Sequence, residues 1–376
     1  MSIYLDYAAT APLRPEVRAL LSRCYAQDWG NASSLHRDGH AARMHFEDAR
    51  ERIARVLGAR VEEVIFTSGA TEANNLAILG WMRQQPKGSH LIVSAIEHPS
   101  AWEAAEALTY EGYQLDIAPV DGQGRLDLAA LQGMLRENTA LVSCMAVNNE
   151  VGTLQPVAEL AGLPRKWKLH VDGVQSGLIG WPDLSGIDMF SLSAHKLGGP
   201  VGSGCLFLRQ GLRLAPLLMG GAQEDHRRAG TSNVIAALAL AEALEVTEQR
   251  RKQELSCIGA LRDQLEGELE KIPGAVRLGG ERSPHISSWF FEGVRAEPLL
   301  VLMDLEGISV SSGSACSSHS IEPSRVVSAM GFSPEQARGL IRFSLGHASQ
   351  EKEVESVGRQ AGVLVEKARR QGGTES

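Results

Sequence analysis

Val64-Ile-Phe-Thr-Ser-Gly-Ala-Thr-Glu-Ala-Asn-Asn75 decides the fold. Its apolar opening, Val64-Ile-Phe66, reads as a buried strand, and Thr71 to Met82 reads as a helix, with small residues at the turn between them. The same unit repeats outward. Leu91-Ile-Val93 precedes a helical Pro99 to Glu111, and Leu115-Asp-Ile117 precedes a helix near Asp127 to Arg136. Leu141 to Val147 is followed by a short helix, Val157 to Leu163, that leads into Leu169-His-Val171. Met189 to Leu192 and Cys205 to Leu208 complete the series. Short apolar runs alternating with helical patterns predict an α/β fold, a mostly parallel sheet covered on both faces. Ligands of such sheets sit outside the carboxyl ends of the strands.

Beyond Asn233 the pattern changes. A long helical stretch, broken or bent, is expected from Val234 to Lys271, stopping near Pro273-Gly274, and its polar middle, Glu248 to Glu254, reads as a solvated face. Strands around Ile286 to Phe291 and Ile341 to Leu345, with helices near Glu297 to Glu306 and Gln350 to Arg370, predict a second, smaller α+β domain. The tail from Gln371 is expected to fray.

Composition bounds the function. A chain of 376 residues, 43% hydrophobic and 22% charged, is globular, and its length sets a prior of roughly two domains at ~150 residues each. The 37 Lys+Arg against 45 Asp+Glu leave a net charge of -8, which argues against nucleic acid as a partner. No apolar run approaches the ~18 residues of a membrane span, and Met1 to Asp6 lacks the basic start of a secretory signal. The five cysteines, Cys24, Cys144, Cys205, Cys257 and Cys316, are scattered and form no C-x-x-C pair. Neither a disulfide framework nor a zinc site is expected, and a reduced, cytoplasmic setting is.

Three signals carry chemistry. Gly69 and the Thr71 hydroxyl open a helix directly after a strand, where backbone N–H groups and the helix field favour an anion; a plain N-capped helix reads the same way. Lys196, in Ser191-Leu-Ser-Ala-His-Lys-Leu-Gly-Gly199, is the lysine that follows a buried strand directly and enters a glycine-rich turn. Such a lysine can serve as a Schiff-base amine when desolvated, or be an ordinary surface lysine. In His170-Val-Asp-Gly-Val-Gln175, Asp172 ends a strand. An acid there can cap a helix, or can pair with the ring nitrogen of pyridoxal phosphate, with Gln175 on the phenolic oxygen.

The sequence resembles the cysteine desulfurases, within the aminotransferase class V group of fold-type I pyridoxal-phosphate enzymes. The likeness runs from Tyr4-Leu-Asp-Tyr-Ala-Ala-Thr10 to Ile341-Arg-Phe-Ser-Leu-Gly346. It is carried by Thr67 to Asn75, Glu97-His98, Val147 to Gly152, Asp172 to Gln175, Ser193 to Lys196, Arg228 to Thr231 and Ser311-Ser-Gly-Ser-Ala-Cys-Ser-Ser318. The resemblance implies a large domain, 13–255, with a mostly parallel seven-stranded sheet between helices, and a small α+β domain from 1–12 with 256–376. It implies pyridoxal 5'-phosphate as cofactor and Lys196 as the Schiff-base lysine. His98 would stack on the ring and move protons, Asp172 would pair with its nitrogen, and Asn149 and Gln175 would hold its phenolic oxygen. Ala70, Thr71, Ser193 and His195 would bind the phosphate. Thr231 would reach the phosphate of a neighbouring subunit, making a homodimer. Arg342 would grip the substrate carboxylate, with Asn31 and Asn149 assisting.

Cys144 and Cys205 lie in apolar strands and read as inert core, whereas Cys316 sits among small polar residues in an accessible loop suited to a reactive thiol. The loop, continuing as His319-Ser-Ile-Glu-Pro-Ser324, resembles the group I desulfurases of nitrogen fixation and housekeeping iron–sulfur assembly. The expected reaction takes L-cysteine to L-alanine and leaves the sulfur on Cys316 as a persulfide, for an iron–sulfur scaffold or a thiolation relay. The nearest rival is a selenocysteine lyase or another class V aminotransferase, which would not need Cys316 in this setting; a non-catalytic sulfur-transfer subunit is a rival of a different class. His36 and His40, spaced i, i+4, read as solvated or dimer-facing rather than metal-binding.

Overall fold

The computed structural model describes residues 2–313 and 323–372. Among them the strands are β1 (Ile3–Tyr4), β2 (Val64–Thr67), β3 (His90–Ser94), β4 (Gln114–Ala118), β5 (Thr139–Met145), β6 (Lys168–Asp172), β7 (Met189–Ser193), β8 (Gly204–Leu208), β9 (Ala275–Leu278), β10 (Ile286–Phe291), β11 (Ile308–Ser309) and β12 (Ile341–Ser344). The helices are α1 (Pro15–Tyr25), α2 (Arg37–Leu57), α3 (Ala70–Met82), α4 (Pro99–Tyr110), α5 (Leu128–Met134), α6 (Val157–Gly162), α7 (Val234–Leu269), α8 (Ala296–Leu305), α9 (Arg325–Ala329), α10 (Pro334–Arg338) and α11 (Glu351–Gly372). No helix among the described residues is long and apolar enough to cross a membrane.

The 7-stranded sheet runs β2-β8-β7-β6-β5-β3-β4. β8 is antiparallel to β2 and β7, and the other pairs are parallel. This is the α/β layer architecture that the alternating pattern predicts. Alternation along the strands explains the two cores. Phe190, Leu192, Cys205 and Phe207 point to the face covered by α2 and the first half of α7. Met189, Leu206 and Leu208 point to the face covered by α3 and α4. Each large apolar side chain buried this way contributes roughly 1.5–3 kcal/mol.

A third cluster joins Trp289, Phe291, Ile341 and Phe343 to α8, α11 and the distal part of α7. It surrounds the antiparallel sheet β12-β10-β9. Instead of a broken helix, α7 is one element from Val234 to Leu269 that contributes Leu240 and Leu244 to one core and Ile258, Leu265 and Leu269 to the other. Its polar middle is the solvated face expected, with Gln249, Arg250, Lys252 and Gln253 exposed, except where Glu254 turns toward the N-terminal segment. Glu254 receives the Arg14 guanidinium on both oxygens, at 2.6 and 2.7 Å, and Arg14 is 4% exposed. That ion pair ties the middle of α7 to the N-terminal segment.

The N-terminal segment belongs to the third cluster rather than to the large sheet. β1 pairs in parallel with β11, Asp6 bridges Ser344, and the Ala8 N–H donates to Ser344 Oγ at 2.9 Å. Residues 6–10 then cross to the carboxyl ends of β6 and β7.

Candidate active site

The anion cup forms where β2 turns into α3. Gly69 has φ +154°, which favours glycine. A Cβ built there meets only Ser193 Oγ, at 3.9 Å, so the space in front of the turn is open and faces the hydroxyl ending β7. The first N–H groups of α3, those of Ala70 and Thr71 among them, lie at its rim without intrahelical acceptors. Glu72 in the same turn would repel an anion, but it is occupied: its carboxylate accepts from Ser68 N at 2.8 Å and Arg228 Nε at 2.8 Å. Burial works against the charge of Glu72, yet these bonds hold its pKa below the usual range. Gly204 closes the cup from below, since a Cβ there would lie 2.7 Å from Gly69 Cα and 2.6 Å from Leu192 O. Gly204→Ala is therefore expected to cost about 1–3 kcal/mol of stability through backbone displacement. It should also weaken cofactor affinity at least tenfold; denaturant melts and cofactor titration check both.

Lys196 follows β7 through a single turn of 3-10 helix, Ala194–Lys196. Its Nζ donates to the Ala8 and Ala9 carbonyls at 2.6 and 2.7 Å. The turn is fixed by Arg14, whose Nε donates to Leu197 O at 2.9 Å. Beside it, His195 Nδ1 lies 3.2 Å from Thr10 Oγ1. Burial, then the charges of Lys196 and His98, push the His195 pKa down to about 4, so this ring is neutral.

Asp172 ends β6, 5% exposed. Its Oδ1 accepts from Val174 N at 3.0 Å and its Oδ2 from Asn74 Nδ2 at 2.7 Å. Asn74, on the buried face of α3, also donates to Ser100 Oγ at 2.9 Å, and that hydroxyl lies 2.8 Å from His98 Nδ1. His98 is the N-cap of α4 and its Nδ1 accepts from Ser100 N at 3.1 Å, which leaves the ring proton on Nε2. Asp172 and His98 are thus held in one network, although they come from different strand ends. Burial lowers the His98 pKa; Asp172 opposes the shift while Lys196 and Arg325 add to it. Below this layer, Glu97 is fully buried, accepts from Met145 N at 2.8 Å, and is pushed up to about 8, chiefly by burial. Gln175, 6% exposed, donates from Nε2 to Ala8 O at 3.0 Å.

On the opposite side stands Arg342 of β12, 2% exposed. It donates to Asp6 Oδ1 at 2.9 Å and to the Asn149 carbonyl at 2.7 Å, while its buried Nε has no partner among the described residues. Asn149 is thereby placed beside Arg342 through its main chain. Asn31 is exposed, its Oδ1 accepting from Ser33 N at 2.9 Å, and it makes no hydrogen bond to Arg342 among the described residues. Thr231 is exposed and lines a cleft of about 250 Å³ with Thr67, Ser68 and Gly202 of its own chain, at the mouth of the anion cup. Cys316 lies outside the described residues. The flanks of its segment are anchored: Ser324 Oγ donates to the buried Glu150 Oε2 at 2.5 Å, and Gly313 passes so close that a Cβ on it would lie 3.1 Å from the same oxygen.

These residues fit pyridoxal phosphate. An open cup with helix N–H groups suits the phosphate, a buried carboxylate suits the ring nitrogen, and an amine and a neutral imidazole stand nearby; the spare Arg342 Nε suits a substrate carboxylate. Asn74, Asp6 and the Ala8 and Ala9 carbonyls complete the site and escaped the sequence reading. Asn74 had a readable signal, a polar residue on the buried face of an otherwise apolar helix. Asp6 had none beyond its place in the Tyr4 to Thr10 stretch.

Comparison with known proteins agrees with this geometry. The family model described as Aminotransferase class-V matches residues 3–357, and the chain belongs to that family of pyridoxal-phosphate-dependent enzymes. Among curated relatives, "Cysteine desulfurase IscS" of Dictyoglomus turgidum is 42% identical over 354 residues, spanning 92% of this chain and 89% of that protein. A solved structure titled "NIFS-LIKE PROTEIN" superposes with a TM-score of 0.91 at 32% identity, covering 98% of this chain and 100% of that one. Another, titled "SspA in complex with cysteine", gives a TM-score of 0.81 at 31% identity over 92% of this chain and 99% of the other.

Proposed function

We propose that this chain is a pyridoxal-phosphate-dependent cysteine desulfurase that converts L-cysteine to L-alanine and carries the released sulfur on Cys316. The observation that carries the reading is the convergence of Lys196, the Asp172–Asn74–Ser100–His98 network and Arg342 around an open anion cup. Ala70, Thr71, Ser193 and His195 would hold the phosphate, Asp172 the ring nitrogen, and Gln175 with Asn149 the phenolic oxygen and its surroundings. When bound, the cofactor supplies an electron sink for the pair left at the substrate Cα.

The chain's own residues do the rest. Arg342 takes the substrate carboxylate, a bidentate pairing for which its planar fork is suited, and Asn31 would help orient it. Lys196 Nζ, released from Ala8 and Ala9, removes the Cα proton, and neutral His98 is placed to take part in returning one. The Cys316 thiolate attacks the substrate sulfur. A sulfur–sulfur bond forms and the carbon–sulfur bond breaks with its electron pair left on carbon, which is protonated to alanine. The sulfur leaves as a persulfide on Cys316, and a thiol reductant frees it as sulfide.

The protein acts as a homodimer in this reading, with Thr231 offered to the neighbouring subunit's phosphate. Support comes from the cleft that holds Thr231 at the cup and from exposed apolar side chains within four residues of its lining in sequence, Met44 at 61% near Phe46, Val201 at 72% beside Gly202 and Met219 at 84% near Gln223. The division into units 13–255 and 1–12 with 256–376 belongs to the same proposal, supported by the change of core along α7 between Leu244 and Ile258. A sulfur-acceptor protein, an iron–sulfur scaffold or a thiolation relay, would complete the pathway in the cytoplasm.

The test is direct. With pyridoxal phosphate, L-cysteine and a thiol reductant, the protein should yield equimolar alanine and sulfide. Cys316→Ser should still bind L-cysteine, seen as a change in the cofactor spectrum, while sulfide release falls at least tenfold. A keto acid as the main product, or near-normal desulfuration by the serine variant, would sink the proposal.

A further inference from the structure

We infer that His285 is a positioning residue for Gln175, holding its amide so that one N–H remains to donate to the cofactor's phenolic oxygen. The inference deepens the reading above, since it rests on Gln175 facing that oxygen. His285 immediately precedes β10, 110 residues from Gln175 in the chain and 3.0 Å from it, Nε2 to Oε1. Its Nδ1 lies 2.6 Å from Ser283 Oγ.

The direction of each bond is forced. Gln175 Nε2 donates to Ala8 O, because a carbonyl oxygen cannot donate, so the amide oxygen must face His285. An oxygen only accepts, and therefore His285 carries its proton on Nε2. Nδ1 is left bare and accepts from the Ser283 hydroxyl. The run Ser283 O–H to His285, His285 N–H to Gln175, Gln175 N–H to Ala8 points one way throughout. Flipping the Gln175 amide would set two oxygens face to face at Ala8. One N–H of the amide nitrogen is then left over.

The surroundings keep this arrangement. His285 is 8% exposed, and burial, then the charges of Arg342 and Lys196, push its pKa down to about 3. Neutral imidazole is the state in which one nitrogen donates and the other accepts. A small cavity of about 50 Å³ is lined by His285, Gln175 and Lys196 together, so the three share one space. The Ala8 carbonyl that accepts from Gln175 also accepts from Lys196 at 2.6 Å, which ties the amide to the position of the amine.

A donor fixed on the phenolic oxygen stabilises its ionised form, and losing the fix alters the proton affinity of the bound cofactor. In His285→Ala, the midpoint of the pH-dependent absorbance change of the bound pyridoxal phosphate should move by about one pH unit, tenfold in proton affinity. Ser283→Ala should move it in the same direction by less, and His285→Asn, which restores an N–H donor, should recover part of the shift. In the wild-type protein, 15N spectra of labelled histidine should show the His285 ring, assigned by its loss in His285→Ala, protonated at Nε2 alone from pH 5 to 9. A midpoint unchanged in His285→Ala while Gln175→Ala shifts it overturns the inference and spares the assignment of Gln175. No shift in Gln175→Ala removes both. A His285 that titrates in that range, or carries its proton on Nδ1, overturns it whether or not the variants fold.

Discussion

Lys196→Ala is expected to abolish turnover, with kcat falling on the order of 10⁴-fold or more, and to leave a protein that binds pyridoxal phosphate without the yellow absorbance of the wild type. The reason is positional. Lys196 is the amine that the turn after β7 delivers to the neighbourhood of His98, with its Nζ held by two main-chain carbonyls at 2.6 and 2.7 Å. The other nearby bases, His195 and His98, are imidazoles whose pKa values are lowered by burial, and neither can form the covalent link. Stability should change little, because the freed carbonyls of Ala8 and Ala9 sit beside a half-buried side chain that water can replace. The check is an absorbance spectrum and an alanine assay on the same preparation. A yellow, active Lys196→Ala protein would remove the lysine from the reaction.

Arg342→Ala should be nearly as severe, and should act twice. Removing one partner of a buried ion pair leaves Asp6 facing an empty space, at a cost of about 3 kcal/mol, the low end of the usual range because Asp6 is partly exposed. On the proposed function it also takes away the donors for the substrate carboxylate. Two charge-assisted bonds of about 1.5–3 kcal/mol each imply a fall in kcat/KM of roughly a hundredfold to ten-thousandfold, mostly in KM. Arg342→Lys separates the effects. An ammonium can keep the contact with Asp6, but it lacks the fork, so stability should recover more than KM does. If KM for L-cysteine were unchanged in both variants, Arg342 would be a structural residue only. Denaturant melts beside initial-rate kinetics decide the matter.

Much of this was legible in sequence because it is local. The cup from Thr67 to Thr71, Asp172 at the end of its strand and Lys196 in its glycine-rich turn each sit where a short apolar run stops, and parallel strands bring their ends together. What could not be read is what joins distant segments. Asn74 meets Asp172 across 98 residues of chain, and Arg342 meets Asp6 across 336. No periodicity encodes such pairs; they follow from which helix face turns inward and where the N-terminal segment is laid. The partner of Glu254 was hidden for the same reason. Within its own stretch it looks like one charge among many on an exposed helix, and only the arrival of Arg14 from the other end of the chain gives it a buried partner.

That N-terminal segment also sets an order of events during synthesis. Ala8 and Asp6 find their partners on Ser344 and Arg342, so they wait for residues made 336 positions later. At about 5–20 residues per second the wait is on the order of tens of seconds. The central strands of the large sheet can pair meanwhile, but until β12 emerges the Lys196 side chain has no Ala8 and Ala9 carbonyls fixed in place to receive it. A nascent or truncated chain thus forms its largest sheet before it has a finished site, and competence for chemistry arrives only with the closing of the chain's two ends.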